Sequence, residues 1–315
     1  MLDSYGLKLP MIADYIAGGS VFFVQSTHAL ANNNPSYGKN PERPLATFAY
    51  AYDLCTASKG DMVVLLPGHA ETLTSIVAMD TAGVMVIGVG EGDNRPIITV
   101  NAAINGLTIT AANQRMHNVK LVTGASYGIT TKLFAVTGGA GLFTFSNCHF
   151  QVAAATKMYH LGYVLGAKGK MVTFKNCFFE NLSTLTMAGN ATLQKNAVLV
   201  RTGDVDFINC RFHDMGAQSK NKWAACVKCG STGTGEDLGT VTFTDCLWTC
   251  RGVAVTCRAA AVSPRVNIIR GMGISTSSNT DDANIFQTTY ALLIDTYVLS
   301  EVNKRGEIIP TATAA

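Results

Sequence analysis

Apolar and polar residues alternate along this chain in a short pattern, Phe-x-Asn-Cys-x-Phe, that returns at regular intervals. Degenerate copies lie at 86–89, 116–121 and 268–271. A repeat of roughly 30 residues is typical of solenoids, in which each unit buries its apolar face against its neighbours. The four gapless copies are Phe145–Phe150, Phe174–Phe179, Phe207–Phe212 and Phe243–Trp248, with Asp245 in place of Asn in the last.

Within each copy the apolar residues follow the period of a strand with one buried face. The phase slips by one residue at the Asn, so Cys177 and Phe179 return to the side of Phe174. A residue in the left-handed conformation bends a strand in this way, and Asn and Asp accept that conformation better than other non-glycine residues. We therefore predict inward columns of Phe and Cys beside a corner of stacked Asn. Gly88 is expected to form the same corner in its weak copy.

A second apolar strand precedes each copy, as Ala197–Val200 precedes Phe207. Each coil then contains at least two strands before the Asn and a short one after it. This arrangement predicts an all-β fold, a parallel β-helix. The solenoid needs a cap at each end, because a terminal coil cannot bury its apolar face alone.

The N-terminal cap is indicated by an ordered series of segments. The strand 21–24 is followed by an Asn/Pro-rich loop over 32–44, a helix over 45–57, and a strand and turn over 61–68. We expect three regions in all: an N-terminal arm at 1–19, a β-helix domain at 20–275 that includes the capping helix, and a C-terminal cap and tail at 276–315. Segments 214–224 and 230–240 lengthen two coils and should protrude as loops.

Composition limits the classes of partner. Apolar residues make up 48% of the chain and charged residues 14%, which indicates a large buried fraction. The net charge of +3 is small and scattered, so we expect no nucleic-acid partner. Apolar stretches such as 63–67 fall far short of the ~20 residues that span a bilayer, so we expect no membrane partner. Residues 1–9 lack the features of a secretory signal, and we expect a soluble protein made in a cytoplasm.

Clustered carboxylates would be needed for calcium binding or for acid–base cleavage of polysaccharides. None of the pairs in this chain falls on equivalent positions of adjacent coils. Each pair is better explained as a strand start, a loop decoration or a turn, so we name no catalytic residue. The three pairs are Asp204 with Asp206, Glu236 with Asp237, and Asp281 with Asp282.

Four cysteines outside the inward column leave three interpretations open. The spacing of Cys226 and Cys229, followed by Cys250 and Cys257, is compatible with a zinc site. A disulfide between two of these four cysteines is the second interpretation. The repeat favours plain packing, because Cys226 aligns with apolar strand positions and a free Cys behaves as a small hydrophobe. We predict no metal-binding and no cofactor-binding residue, and no cofactor.

Glycines and histidines supply no further motif. Gly88, Gly90 and Gly92 resemble a phosphate loop, but no helix follows them, and a turn between coils is the better interpretation. The histidines are dispersed, and those at 117 and 149 occupy related outward positions that favour a solvated face. No Ser-His-Asp arrangement can be identified from spacing.

A family resemblance rests on the N-terminal segments. The strand, the Asn/Gly/Pro-rich loop, NPERPLATFAYAYDLC and GDMVVLLPGHAET resemble the opening of pectin-lyase-like right-handed β-helix proteins, and especially of β-helix structural proteins of tailed bacteriophages. The resemblance covers residues 20–275 and implies a right-handed helix. It also implies a virion protein that forms a homo-oligomer, with a trimer favoured.

From this resemblance and the absence of paired carboxylates we predict a non-enzymatic virion structural protein, a capsid decoration or stabilising protein. Its expected partners are further copies of itself and the major capsid protein or another virion protein, assembled in the host cytoplasm. Segments 1–19 and 288–315 are the candidates for these contacts. The alternative is a tailspike or fibre that binds or depolymerises host surface glycans. A third hypothesis is a carbohydrate-active lyase or hydrolase outside any virus.

Overall fold

Three parallel sheets run the length of the chain, and each full coil adds one strand to each of them in turn. This confirms the predicted parallel β-helix. The computed structural model describes residues 18–125, 132–138, 141–153, 160–165, 171–182, 196–215, 223, 225–229, 239–250, 255–259, 265–275, 291–294, 297–300 and 309–310.

The strands are numbered in chain order and grouped here by sheet. Sheet 1 consists of β1 (Val21–Val24), β2 (Met62–Leu65), β5 (Met85–Gly88), β8 (Arg115–His117), β11 (Phe143–Ser146), β14 (Met171–Lys175), β17 (Asp204–Ile208), β20 (Thr240–Thr244), β23 (Arg265–Ile269) and β25 (Ala291–Ile294). Sheet 2 consists of β3 (Ala70–Leu73), β6 (Ile97–Val100), β9 (Lys120–Thr123), β12 (His149–Val152), β15 (Phe178–Asn181), β18 (Arg211–Asp214), β21 (Leu247–Cys250), β24 (Met272–Ser275), β26 (Tyr297–Ser300) and β27 (Ile309–Pro310). Sheet 3 consists of β4 (Val77–Met79), β7 (Leu107–Ile109), β10 (Phe134–Thr137), β13 (His160–Leu165), β16 (Asn196–Thr202), β19 (Ala225–Cys229) and β22 (Val255–Ala259).

Aromatic rings of successive coils stack in the interior. Phe174 lies 4.9 Å from Phe207, measured between ring centroids, and Phe207 lies 4.9 Å from Phe243, with nearly parallel planes. A second column carries Phe179 and Phe212, also 4.9 Å apart. These rings are fully buried. Burial of each contributes roughly 1.5–3 kcal/mol, and the ring contacts about 0.5–1.5 kcal/mol more.

The Asn corner between sheets 1 and 2 has the predicted left-handed backbone. Asn147, Asn176, Asn209 and Asp245 have φ values of 54°, 55°, 50° and 56°. The expectation for Gly88 is wrong, since its φ is not positive. A Cβ at Gly88 would lie 2.2 Å from the backbone oxygen of Asn118, so glycine is needed there because two backbones pass too closely for a side chain.

The inward cysteine column is also present. Its four thiols are reduced and at most 2% exposed, and each donates to a backbone carbonyl of the preceding coil, as Cys210 Sγ does to Phe174 O at 3.3 Å. Burial raises the pKa of Cys177 and of Cys246. These thiols serve packing. The column consists of Cys148, Cys177, Cys210 and Cys246.

The capping helix, α1 (Phe48–Asp53), is shorter than the predicted span of 45–57. Leu45 forms a bridge with Val24, and Thr47 is extended, so the helix begins only after both. Thr47 caps it by accepting from the Tyr50 amide, and Glu71 Oε2 accepts from the Phe48 amide at 2.7 Å. Within the ranges given above, no helix is long and apolar enough to cross a bilayer.

At the other end, the parallel ladder continues past residue 275. Strand β25 pairs with β23 and β26 pairs with β24, both in parallel, and β27 closes sheet 2 by pairing antiparallel with β26. Reversal of direction ends the regular stacking of coils at that edge.

Candidate functional site

Sheet 3 is bordered by the long connections of the chain. In the middle coils the link from sheet 1 to sheet 2 is a dipeptide such as Asn147-Cys148. The links into sheet 3 include 153–159, 182–195 and 215–224, and the links out of it include 166–170 and 230–239. Loops attached to a rigid sheet are where binding residues concentrate. The outer face of sheet 3 is therefore the candidate site.

Lys132, which lies just before β10, and Tyr163 of β13 contact each other at this face. The Lys132 ammonium lies 5.3 Å from the centroid of the Tyr163 ring, within the range of a cation–π contact. The backbone of Lys132 is fixed by its carbonyl, which accepts from the Gly106 amide at 2.9 Å. Both side chains are half-buried, and burial lowers the pKa of Lys132. Loss of hydration makes the neutral amine more accessible than in a lysine surrounded by water.

His160 lies in the same cluster, one coil beyond Lys132. Burial, followed by the positive charges of Lys132 and Lys228, lowers the pKa of His160 to about 4, so the ring is neutral at pH 7. Nδ2 of the buried Asn196 lies 3.4 Å from His160 Nδ1. A neutral imidazole has one ring nitrogen that donates a hydrogen bond and one that accepts.

Lys228 extends the cluster along the rod. Tyr163 is in register with Leu199, and Leu199 with Lys228, so an aromatic ring and a cation lie on one outward column. We call Lys132, His160, Tyr163 and Lys228 the basic cluster. Its two ammonium groups favour an anionic ligand, and its ring offers an apolar contact beside them.

A second group of polar residues lies on the outer face of sheet 2. His149 Nε2 is 3.1 Å from Glu180 Oε2, and its ring stacks on Phe178 with 4.8 Å between centroids. Burial and the charge of Lys120 lower the pKa of His149 to about 4, although Glu180 acts in the opposite direction. Stacking between register partners runs along the rod axis, so these rings turn mainly their edges to solvent. This arrangement orders the surface and offers no broad ring face to a ligand.

Of the carboxylates considered from sequence, Asp204 and Asp206 lie among the described residues. Asp204 Oδ1 accepts from the Thr240 amide at 2.8 Å, which is a structural bond between neighbouring coils. Burial and the charge of Asp204 raise the pKa of Asp206. Glu236, Asp237, Asp281 and Asp282 lie outside the described residues. Across the described ranges, no group of three or more His, Cys, Asp or Glu has the arrangement of a metal site.

The cysteines considered as zinc ligands are only partly described. Cys226 is fully buried in the interior of sheet 3, as packing requires. Cys229 and Cys257 belong to β19 and β22, and Cys250 ends β21, but their side chains lie outside the described part of the chain. The metal and disulfide interpretations of these three thiols remain untested.

Two solved structures align with this chain. A rhamnogalacturonan lyase aligns over 83% of this chain and 71% of its own, with a TM-score of 0.56 and 13% identity. The pectate lyase Pel9A aligns over 88% of this chain and 79% of its own, with a TM-score of 0.36 and 10% identity. No family model and no curated protein sequence matches the chain. The first likeness supports the parallel β-helix fold.

That comparison corrects the prediction that this chain is not an enzyme. The prediction took a β-helix of this kind to indicate a structural role, yet the rhamnogalacturonan lyase with the same fold is an enzyme. The prediction also rested on the absence of paired carboxylates, whereas the basic cluster consists of two lysines, a histidine and a tyrosine. The phage origin, the virion location, the trimer and the capsid partner remain predictions.

Proposed function

We propose that this chain binds an acidic polysaccharide along the outer face of sheet 3 and cleaves it by β-elimination. The observation that carries the proposal is the Lys132–Tyr163 contact, in which a lysine of lowered pKa lies over an aromatic ring. The fold shared with a rhamnogalacturonan lyase supports the same class of substrate. Depolymerisation of host glycans by a tailspike is one setting in which this activity would serve.

β-Elimination in a uronic acid polymer needs a base and a partner for the carboxylate. Lys132 in its amine form removes the proton from the carbon next to the carboxylate. The electron pair then forms a C=C bond, and the C–O bond at the following carbon breaks. The leaving oxygen takes the proton from the ammonium that Lys132 has become. A lysine of lowered pKa suits the role of base, because more of it is neutral near pH 7.

The other members of the basic cluster would bind the polymer. Lys228 attracts the carboxylate of a neighbouring sugar unit, and the neutral ring of His160 hydrogen-bonds to the polymer without adding charge at pH 7. Tyr163 offers an apolar edge beside them. Attraction of this kind weakens as salt screens it, so binding should be strongest at low ionic strength.

The test is a panel of acidic polysaccharides, including rhamnogalacturonan and polygalacturonate, with neutral dextran as a control. Elimination creates an unsaturated uronide, which is detected by its ultraviolet absorbance. We expect turnover of at least one acidic polymer and a loss of about 100-fold in Lys132→Met. The matched control is Lys175→Met, because Lys175 is an exposed lysine on sheet 1. Equal rates in both variants, or no product from any acidic polymer, would overturn the proposal.

A further inference from the structure

The outer face of sheet 1 changes character along the rod. In later coils its outward positions are mostly polar, as at Thr144, Thr173 and Lys175. In the first three strands the outward positions are apolar, so these strands are apolar on both faces. We call this outward surface the apolar patch. It consists of Val21, Phe23, Met62, Val64, Leu66, Met85, Ile87 and Val89.

The patch is buried as deeply as the interior. Met62 is 2% exposed and Val64 is 0% exposed, although both point away from the core that contains Val63 and Leu65. Their counterparts in later coils, such as Thr144 and Thr173, are half-exposed, and Lys175 is exposed. A parallel sheet that is apolar on both faces is normally covered on both faces. Some segment of protein must therefore lie over the patch.

Neither the described N-terminal loop nor the C-terminal end can supply this cover. The loop lies along the edge of β1, where the Phe23 amide donates to Gly38 O and the Leu45 amide donates to Phe23 O, both at 2.8 Å. The chain's last strand lies beside β26 at the other end of the rod, and β25 is seven strand spacings, roughly 34 Å, from β5.

The remaining candidate is the segment directly before β1. The Ser20 amide donates to Asp61 Oδ1 at 2.6 Å and the Met62 amide donates to Ser20 O at 2.8 Å, which fixes the start of β1 at the border of the patch. A Cβ at Gly19 would lie 2.2 Å from Gly60 O, so the chain passes tightly against the second coil there. The segment before this point is rich in large apolar residues: Leu2, Tyr5, Leu7, Leu9, Met11, Ile12, Tyr15 and Ile16.

We infer that residues 1–17 pack on the apolar patch of their own chain. Only Asp3, Lys8 and Asp14 in this segment are charged, so it can cover an apolar surface at small cost in desolvation. A short tether gives the segment an effective concentration in the millimolar range at the patch, far above that of a second copy in dilute solution. The sequence had suggested that the arm contacts a partner subunit or the capsid; the patch gives it a place on its own subunit.

Methionine oxidation by hydrogen peroxide tests this placement, because oxidation rates follow exposure. Met171, 40% exposed, should oxidise quickly in every form, and the fully buried Met116 slowly in every form. Met62 should be protected in the full chain and oxidise at least about tenfold faster after deletion of residues 1–17. A synthetic peptide of residues 1–17 should restore its protection. Unchanged protection of Met62 in the deletion variant would overturn the inference.

A full-length variant guards against failure of the deletion to fold. Ile12→Asp should raise Met62 oxidation, whereas Leu30→Asp should not, since Leu30 is 57% exposed and does not belong to the patch. Protection by the chain's own segment does not depend on protein concentration. Met62 should therefore be protected in samples that light scattering shows to be monomeric. Protection that is lost on dilution as a dimer dissociates would assign the cover to a second copy and overturn the inference.

Discussion

The side-chain amide of Asn147 donates to the side-chain oxygen of Asn118 at 3.0 Å, and both residues have a φ near +55°. Asn118 in turn donates to the backbone oxygens of Gly88 and Gly90, each at 2.9 Å. Asn118 and Asn147 thus each allow the bend and bond to the coil before them. These two contributions can be separated by mutation.

We expect Asn147→Ala to destabilise the fold more than Asn147→Gly. Glycine keeps the left-handed backbone and loses only the side-chain bond, whereas alanine loses the bond and also strains the backbone. The difference should be about 1 kcal/mol in the free energy of unfolding, measured by urea denaturation. Equal losses would show that the backbone conformation contributes nothing.

Phe207→Ala should cost about 3–5 kcal/mol, because Phe207 is fully buried between stacked rings and the neighbouring coils cannot close the cavity. Phe178→Ala is the matched control. Its ring lies on the outer face of sheet 2 and is half-buried, so its loss should be distinctly smaller. Denaturant unfolding of both variants gives the comparison, and a Phe178 cost equal to that of Phe207 would contradict it.

The inward thiols should resist alkylation. Burial raises the pKa of Cys177 and Cys246, so at pH 8 the native protein presents almost no thiolate at either position. Iodoacetamide followed by peptide mass spectrometry should show both unmodified until denaturant is added. Cys177→Ser should cost about 1–3 kcal/mol, because it buries a more polar group in the column. Rapid labelling of native Cys177 would contradict the packing assignment.

Stability should fall as the pH is lowered from about 6.5 to about 4. His149 and His160 have a pKa of about 4 in the folded chain, against 6.5 as the ordinary value. Between those pH values the unfolded chain binds more protons than the folded chain. The free energy of unfolding therefore rises with pH and decreases as the pH is lowered. Thermal unfolding across this window should show the slope. The double variant His149→Gln/His160→Gln should flatten it.

The pH dependence of the proposed cleavage should report Lys132. Because burial lowers the pKa of Lys132, the rate should rise with pH and level off below the ordinary lysine value of 10.5. Lys132→Arg, whose side chain stays protonated, should remove this rise along with the activity. Initial rates across pH, at saturating substrate, distinguish this from a change in binding.

The repeat was readable because burial and backbone conformation are both encoded in residue type. Phe174 and Cys177 mark the inward columns, and Asn176 marks the bend. Sequence could not tell the corner glycine from the close-packed one, since Gly88 and a left-handed glycine look alike until the backbones are placed. The capping helix was overextended for a similar reason, because Leu45 fits a helix pattern but is held by the strand partner Val24.

The basic cluster was missed because its members come from different coils and look ordinary one at a time. The signal that could have found it is register. Lys132 lies two residues before Phe134 and His160 two residues before Gly162, and Phe134 pairs with Gly162, so the first two lie on one column. The lowered pKa of Lys132 depends on burial, which the sequence of a single strand does not determine.

Because the link between sheets 1 and 2 is a dipeptide in each of the middle coils, a complete coil can be deleted from the chain. Removing residues 178–210 would join Cys177 to Arg211. Arg211 pairs with Phe178 in the sheet, so it would take the place of Phe178 directly after the Asn176-Cys177 corner. Every contact column would then close up by one strand spacing, about 4.8 Å, without a change of phase. Length in this protein is therefore a quantity that mutation can alter in discrete steps.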